Sequence, residues 1–255
     1  MSTLTDTVAV VTGASAGIGE ATALALAGRG ARVVLAARRS DRLADLARRI
    51  TDEQGHAVAV PCDVTDRAQV QQMVDTTLQA FGRIDVLINN AGVMPLSPMA
   101  KCRFEDWDST IDVNLKGALW VIGCVLPTML AQKTGHIVNV GSVAGRRVFS
   151  TAAVYCASKF ALHAASEALR MELAQQAAED GNTIRVTVVA PGIVTTELRD
   201  SIADAETRRA VQSNYDAVKQ ELTSQDIATV IVGALEAPPH VGVNEIVIRP
   251  ATQIR

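Results

Sequence analysis

Short runs of aliphatic and β-branched residues alternate along most of the chain with longer segments whose apolar residues recur at helical spacing. One such segment has Leu43, Leu46, Ala47 and Ile50 on one helical face and Ser40 as its predicted N-cap. The short runs predict seven strands, at residues 7–11, 31–36, 56–60, 84–88, 135–140, 184–189 and 245–248. The longer segments predict helices at residues 20–29, 40–53, 66–81, 104–133, 153–178 and 224–235.

The predicted strands are apolar on both faces, as in VAVV and VTVV. Strands of this kind belong to parallel sheets that are covered by helices on both sides. The sequence therefore predicts a single α/β domain over residues 1–255, built on a doubly wound parallel sheet. The polar stretch 195–222 interrupts the alternation, and we expect a substrate loop over about 193–222 at the carboxyl edge of the sheet.

Composition narrows the class of protein. Hydrophobic residues make up 48% of the 255 residues and the formal net charge is -3. Such a chain can bury a core, and it lacks the basic surface that a nucleic-acid binder needs. The N-terminal stretch lacks the pattern of a signal peptide, and no apolar run reaches the roughly 18 residues of a membrane helix. We therefore expect a soluble, cytoplasmic protein with no nucleic-acid or membrane partner.

The four cysteines give no sign of a metal site. Cys62, Cys102, Cys124 and Cys156 form no C-x-x-C pair and match no zinc-ligand spacing. Free cysteines are among the most buried residue types. We expect buried thiols in a reducing compartment, and no bound metal.

A glycine-rich turn directly follows the first predicted strand. Its sequence, TGASAGIG, places Gly13, Gly17 and Gly19 at the start of a predicted helix, together with Ser15 and Ile18. Glycines allow a tight turn and let the backbone approach a pyrophosphate, while the helix N-terminus directs free N–H groups at the anion. The spacing G-x-x-x-G-x-G is neither G-x-G-x-x-G nor a P-loop, and a turn without a ligand is the alternative.

The end of the second strand bears on the choice of cofactor. NAD-binding proteins of this architecture place an acidic residue there, which binds the ribose 2′-hydroxyl. Here Ala37 holds that position, and Arg38 and Arg39 follow it. Because an arginine can bind a 2′-phosphate through two N–H groups, the pattern favours NADP(H), with Arg38 as the main contact. The alternative is that both arginines are ordinary solvated side chains.

Candidate chemistry lies in YCASK, where Tyr155 and Lys159 share one helical face. A neighbouring ammonium stabilises a phenolate and lowers the pKa of the tyrosine, which makes the phenol usable as an acid or base. Ser142 lies upstream, just after the strand GHIVNV, and its hydroxyl can hydrogen-bond a substrate oxygen. The Tyr–Lys spacing alone is common in helices, so it is informative only in combination.

In this combination the sequence resembles the short-chain dehydrogenase/reductase family along essentially its whole length. The markers occur in order: the turn from Thr12 to Gly19, Asp63 with Val64, Asn89 to Gly92, Asn114, Ser142, Tyr155 with Lys159, and Pro191 with Gly192 and Thr196. The resemblance implies a Rossmann-type fold and hydride transfer between a nicotinamide cofactor and a carbonyl or alcohol. One departure is Gly141, where many members have a second serine.

The resemblance also implies a role for each marker. Asn114, Ser142, Tyr155 and Lys159 would form a catalytic tetrad, with Tyr155 as the general acid/base. Ser142 would polarise the substrate oxygen, Lys159 would lower the Tyr155 pKa and hold the ribose, and Asn114 would support a water. The cofactor contacts implied are Asp63 and Val64 at the adenine, Asn90, Ala91 and Gly92 along the cleft, and Pro191, Gly192, Ile193 and Thr196 beside the nicotinamide.

The segments RRSDRLADL and VNEIVIRPATQ resemble a bacterial subgroup of NADP-dependent carbonyl reductases. That subgroup includes 3-hydroxy-acid (serine) dehydrogenases and clavulanate-aldehyde reductase-like enzymes. A 3-oxoacyl or steroid reductase is the alternative within the enzyme class, and a catalytically silent, NADP-sensing scaffold is the alternative outside it. We expect a small carbonyl or alcohol substrate. The family implies a homotetramer in which the long helices after Phe104 and around Tyr155 pair across a two-fold axis.

Overall fold

The computed structural model describes residues 4–253, and its strands form one sheet. These strands are β1 (Val8–Thr12), β2 (Arg32–Ala37), β3 (His56–Pro61), β4 (Val86–Asn89), β5 (Thr134–Val140), β6 (Thr183–Pro191) and β7 (Glu245–Ile248). Their order is β3-β2-β1-β4-β5-β6-β7, and every neighbouring pair is parallel. The predicted fold class, a doubly wound parallel sheet of seven strands, is confirmed.

Helices cover both faces of the sheet. They are α1 (Gly17–Ala27), α2 (Ser40–Asp52), α3 (Arg67–Phe81), α4 (Phe104–Ile111), α5 (Ala118–Gln132), α6 (Ala153–Asp180), α7 (Ala205–Asp216) and α8 (Ser224–Leu235). One aliphatic core joins the sheet to α1, α2 and α8, through side chains such as Leu26, Leu43 and Ile231. The other joins it to α3, α5 and α6, through side chains such as Met73, Val125 and Leu173.

One predicted helix start and one predicted helix cap were wrong. Helix α1 begins at Gly17, inside the glycine-rich turn, and not at Glu20. Helix α2 begins at Ser40 as predicted, but Ser40 is its first residue and does not cap it. Arg39 holds the N-cap position, and its side chain makes no capping hydrogen bond to the helix. The predicted start of α3 was within one residue, since the helix begins at Arg67 and Asp66 caps it by accepting from the N–H groups of Ala68 and Gln69.

The predicted helix at 104–133 is interrupted. A π-helical turn, Asp112–Gly117, separates α4 from α5. Gly117 lies against Val64, so close that a Cβ would be 2.8 Å from Val64 Cγ2. The combined stretch Phe104–Gln132, with a mean hydropathy of 1.5 in its most apolar 18 residues, is long and apolar enough to cross a membrane by length and composition alone. Core helices also meet this criterion, and α5 packs Val121, Val125 and Met129 against the sheet.

The segment after β6 is more regular than expected. A short 3-10 turn, Glu197–Ser201, and the helix α7 occupy most of the polar stretch that was predicted to be irregular.

The cysteines also differ from the expectation of uniform burial. Cys62 and Cys156 are buried, but Cys124 is half-buried and Cys102 is exposed.

Candidate active site and cofactor cleft

The strand order reverses between β1 and β4, and a cavity of about 1600 Å³ opens at the carboxyl ends of the strands there. A reversal point of this kind is where doubly wound proteins bind ligands, because the loops on its two sides diverge. The segments that follow β1, β2, β3, β4, β5 and β6 all contribute to the lining.

The glycine-rich turn forms one wall of the cavity. Gly13 and Gly17 have φ values of +64° and +59°, in the region that favours glycine. A Cβ on Gly19 would lie 2.4 Å from the carbonyl oxygen of Gly13, so no larger residue fits there. The turn leads straight into α1, whose first residues, Gly17 and Ile18, line the cavity. These residues fit a pyrophosphate.

Asn90 holds this turn against the end of β4. Its side-chain amide donates to the carbonyl oxygens of Thr12 (3.0 Å) and Gly13 (3.3 Å). In return, the hydroxyl of Thr12 accepts from the N–H groups of Asn90 (2.9 Å) and Ala91 (3.1 Å). Asn90, Ala91 and Gly92 all line the cavity. Asn89, by contrast, is buried and pairs with Ala118 and Asn139, so its amide stabilises the sheet.

Three arginines line the far end of the cavity, where β2 meets α2. Arg39 donates from Nε to the Ser15 hydroxyl at 3.0 Å and from Nη1 to Glu197 at 2.8 Å. Arg42 donates to the other oxygen of Glu197 at 2.6 Å. The exposed Arg38 lines the same cavity. Arg39 and Arg42, rather than Arg38, are thus the arginines held in place by the turn and by Glu197.

Asp63 and Val64 lie where β3 ends, beside these arginines in the cavity lining. One carboxylate oxygen of Asp63 accepts from both the N–H (2.9 Å) and the hydroxyl (2.8 Å) of Thr65. The loop is therefore held rigid, with the Val64 side chain buried.

The segment after β6 forms the opposite wall. Pro191, Gly192, Ile193 and Thr196 line the cavity, and the methyl of Thr196 would lie 3.3 Å from a Cβ on Gly17. The Thr196 hydroxyl caps the 3-10 turn by accepting from Leu198 N–H. Near the C-terminus, the side chain of Gln253 accepts from the backbone N–H of Ile193 at 3.0 Å. Gln253 was not among the predicted site residues.

Asn114 lies in the π-helical turn and is 1% exposed. Its side chain accepts from Val93 N–H (2.8 Å) and donates to Val93 C=O (2.9 Å). The same amide donates to the Ser158 hydroxyl at 3.3 Å, and Ser158 in turn donates to the carbonyl oxygen of Tyr155. π-turns are frequent at functional sites. Here the turn ties the loop after β4 to α6.

Ser142, Tyr155 and Lys159 meet on the floor of the cavity, and each is at most 9% exposed. Ser142 follows β5, whereas Tyr155 and Lys159 lie one turn apart on α6. Lys159 donates from Nζ to the carbonyl oxygen of Val140 at 2.9 Å, and Nζ lies 6.0 Å from the centre of the Tyr155 ring. The hydroxyl of Ser142 accepts from Ala144 N–H.

Burial controls the proton affinities of this cluster. It raises the pKa of Tyr155 to about 12, although a hydrogen bond with Ser142 works in the opposite direction. It also lowers the pKa of Lys159 to about 8. The expectation that Lys159 lowers the Tyr155 pKa is therefore wrong for the chain without cofactor, where the cost of removing the phenolate from water dominates.

The predicted catalytic and cofactor-binding residues, from Gly13 to Thr196, fall around this one cavity, with Gly19 and Asn114 just behind its wall. The marker Asn89 does not line the cavity. Sequence reasoning missed Arg42, Glu197 and Gln253. Arg42 lies one helical turn after Arg39, which was a usable signal. Glu197 directly follows the predicted site residue Thr196, but nothing in the local pattern indicated that it pairs with Arg39 and Arg42. Gln253 reaches the cavity from the C-terminal end of the chain, and no local pattern marked it.

Residues 7–207 match the profile of a family described as short chain dehydrogenase. This matched region contains the glycine-rich turn, Asn114, Ser142, Tyr155 and Lys159. The chain belongs to the short-chain dehydrogenase family. It is therefore an oxidoreductase of this family, on a Rossmann-like fold.

Similar proteins cover the chain almost completely. An uncharacterized oxidoreductase of Staphylococcus saprophyticus is 45% identical over 255 residues, which cover 99% of each chain. A serine dehydrogenase solved with NADP+ has a TM-score of 0.84 at 32% identity, with 96% of each chain covered. A short-chain dehydrogenase/reductase from Burkholderia phymatum, solved with NAD, has a TM-score of 0.87 at 28% identity, covering 97% of this chain and 90% of that one. Structural neighbours of this chain have thus been solved with NAD and with NADP+.

Proposed function

We propose that this protein is an NADPH-dependent reductase that interconverts a small aldehyde or ketone and the corresponding alcohol. The observation that carries the proposal is the meeting of Ser142, Tyr155 and Lys159 in the same cavity as Arg39 and the glycine-rich turn. Phosphate-binding groups and a proton-transfer group at opposite ends of one cleft suit a dinucleotide whose reactive ring reaches the tyrosine.

The cofactor preference rests on charge. Arg38, Arg39 and Arg42 lie beside the end of β2, and no acidic side chain follows that strand directly. We infer that Arg39 and Arg42 hold the 2′-phosphate of NADP(H), with the turn from Gly13 to Gly19 around the pyrophosphate. Asp63 and Val64 would border the adenine, and Pro191 to Thr196 would border the nicotinamide. Once bound, the cofactor would supply the hydride.

The residues of the chain would manage the proton and the orientation of the substrate. In the reduction, the Ser142 hydroxyl would hydrogen-bond the carbonyl oxygen, and the Tyr155 phenol would donate its proton to that oxygen. A raised Tyr155 pKa keeps this proton in place at neutral pH. Lys159 would then return a proton toward Tyr155 and bind the ribose hydroxyls. Asn114 would keep the loop at Val93 closed over this cluster.

The substrate would enter between Ser142 and the segment that follows β6. Met94, Leu198 and Phe149 form an apolar wall there, next to Tyr155. Arg147 lines the same cavity, with its guanidinium 5.4 Å from the centre of the Phe149 ring. A cationic group in this wall favours substrates that carry an acidic group, such as β-keto acids. We propose that residues 193–222 serve as the substrate loop.

Exposed apolar side chains on α4, α5 and α6 support a homotetramer, in which second copies would cover them. Phe104, Leu119, Phe160 and Met171 are between 41% and 59% exposed. Large apolar side chains exposed on neighbouring helices are typical of interfaces. Sedimentation of the wild type and of the Phe160→Glu variant would test this, with a tetramer expected for the first and smaller species for the second. A monomeric wild type would contradict it.

The reaction is tested by following the oxidation of NADPH and NADH with a panel of aldehydes, ketones and β-keto acids. We expect turnover with at least one of these classes, and faster turnover with NADPH than with NADH. An Arg147→Met variant, which keeps the length of the side chain, should lose activity selectively on the acids. A preference for NADH would contradict the cofactor assignment. Binding of NADPH with no turnover on any class would contradict the reductase.

A further inference from the structure

Glu197 places its carboxylate between two arginines of the cofactor cleft. Its Oε2 atom accepts from Arg39 Nη1 at 2.8 Å, and its Oε1 atom accepts from Arg42 Nη1 at 2.6 Å. Hydrogen bonds to these two arginines lower the pKa of Glu197, so the carboxylate is charged at neutral pH. The two guanidiniums therefore already hold an anion that the chain itself supplies.

This internal anion lies where a 2′-phosphate would bind. Arg39 directly follows the Arg38 position at the end of β2, and it is tied to the glycine-rich turn through Ser15. Arg39, Arg42, Ser15 and Glu197 line one cavity. Arginine binds carboxylates and phosphates with the same planar fork of N–H groups. The carboxylate of Glu197 and a phosphate would therefore use the same donors.

Glu197 also begins the segment that carries the substrate wall. It follows Thr196 and starts the 3-10 turn Glu197–Ser201. Within this turn, Leu198 packs on the apolar cluster that contains Tyr155, and the Ser201 hydroxyl accepts from Met94 N–H at 2.9 Å. The arginine bridge thus connects one end of the cleft to the wall beside Tyr155.

We propose that Glu197 is a specificity-determining residue that competes with the 2′-phosphate for Arg39 and Arg42. The inference rests on the proposed NADP(H) site. With NAD(H), or before any cofactor enters, the Glu197 carboxylate occupies the arginines. NADP(H) displaces it, and the turn Glu197–Ser201 then loses its link to α2. Binding of a 2′-phosphate thus changes the contacts that hold the wall of the substrate site, which contains Leu198.

The strength of the competition between Glu197 and a 2′-phosphate depends on how exposed the three charged side chains are. The side chains of Arg39, Arg42 and Glu197 are 44%, 45% and 48% exposed. Ion pairs this exposed are individually weak, because water screens them. A phosphate with up to two charges displaces such a carboxylate readily. Removal of the Glu197 charge should therefore tighten binding of a 2′-phosphate by about three- to tenfold.

Two nucleotides without a nicotinamide ring give the cleanest test, because their binding is independent of catalysis. Adenosine 2′,5′-bisphosphate carries the 2′-phosphate, and 5′-AMP lacks it. Titration calorimetry on the full chain should show that Glu197→Gln tightens binding of the bisphosphate by about three- to tenfold and leaves 5′-AMP unchanged. The gain should disappear when Arg39→Ala and Arg42→Ala are also present.

Glu236→Gln is a matched control. Glu236 forms a similar bridge with Arg29 at 2.8 Å, with both side chains near 38% exposed, but neither residue lines the cavity. This variant should bind both nucleotides as the wild type does. Thermal unfolding of each variant checks that the fold is retained.

The possible failures separate the two proposals. If Glu197→Gln binds the bisphosphate no more tightly than the wild type does, while both still prefer it to 5′-AMP, the competition is wrong and the NADP(H) site stands. If neither protein prefers the bisphosphate to 5′-AMP, the NADP(H) site is wrong, and the inference falls with it. A gain that survives the loss of both arginines would also overturn the competition.

Discussion

The imidazole of His163 fills the space beside Gly141, with its Nε2 atom 2.2 Å from the position that a Cβ on Gly141 would take. The same nitrogen lies 2.6 Å from the corresponding position on Gly145. Ser142 lies between these two glycines, and His163 is one helical turn beyond Lys159 on α6. The departure at Gly141, where many family members have serine, thus has a steric cause.

We predict that Gly141→Ser lowers the free energy of unfolding by about 1–3 kcal/mol, because the new side chain must displace either His163 or the loop that follows β5. Gly233→Ala is the control, since Gly233 is in α8 with no atom within 4 Å of its Cβ position. It should be neutral or stabilising by up to about 1 kcal/mol. Urea unfolding measures both changes. Equal stabilities of the two variants would contradict the steric explanation.

A second prediction follows from the same contact. His163→Ala removes the ring that occupies the space, so it should recover most of the stability lost in Gly141→Ser. The pair should therefore be strongly non-additive in a double-mutant cycle. Additive effects of the two substitutions would show that Gly141→Ser acts through another contact.

Asn114 should stabilise the fold through both the oxygen and the nitrogen of its side-chain amide. Asn114→Ala leaves the N–H and C=O groups of Val93 without these partners, so we expect a loss of about 2–4 kcal/mol in the free energy of unfolding. Asn114→Asp keeps the acceptor for Val93 N–H but loses the donor, and it should fall between alanine and the wild type. Urea unfolding distinguishes the three. An Asn114→Ala variant as stable as the wild type would show that the two hydrogen bonds between Asn114 and Val93 do not stabilise the fold.

The fold could be predicted well because strand runs and helical spacing are local patterns. The seven strands and the helix Ser224–Leu235 follow from such patterns directly. The π-turn at Asp112–Gly117 could not be predicted in this way, because the apolar spacing does not mark it and the close packing of Gly117 on Val64 joins segments far apart in sequence. The pairing of Arg39 with Glu197 likewise depends on how the segment after β6 folds toward the end of β2. Local sequence patterns thus predicted the elements but not the contacts between segments that are distant in sequence.

The chain without cofactor should show a pH-dependent stability that arises from Lys159. Its pKa is lowered from 10.5 to about 8 in the folded protein. Between these pH values the unfolded chain binds more protons, so folding stability rises with pH, by about 3 kcal/mol over the whole interval. The rise is clearest between about pH 8 and pH 9, because the raised pKa of Cys62 opposes it above the ordinary value of 9.0, and the raised pKa of Tyr155 opposes it above the ordinary value of 10.0.

Substitution isolates this effect. Lys159→Met should remove the rise in stability between about pH 8 and pH 9, whereas Lys116→Met should retain it. Lys116 is a suitable control because its side chain is 53% exposed and pairs with Asp112 on the surface. The measurement is the urea midpoint as a function of pH. The same slope in both variants would show that another group titrates.

The thiols should differ in reactivity. Burial raises the pKa of Cys62 to about 11, whereas Cys102 is exposed. Because the thiolate is the reactive form, a maleimide should label Cys102 first and Cys62 only on unfolding. Cys102→Ser should remove the fast phase of labelling, as followed by mass spectrometry. Rapid labelling of Cys62 in the folded protein would contradict its burial.

The proton-transfer role of Tyr155 is tested most directly by single-turnover reduction of an accepted carbonyl substrate with prebound NADPH, in the wild type and in Tyr155→Phe. NADPH binding is measured in parallel by fluorescence. We predict that Tyr155→Phe binds NADPH about as tightly as the wild type but loses at least about a hundredfold in rate, as expected when a general acid is removed. A Tyr155→Phe variant that reduces the substrate at the wild-type rate would contradict the proposed reaction.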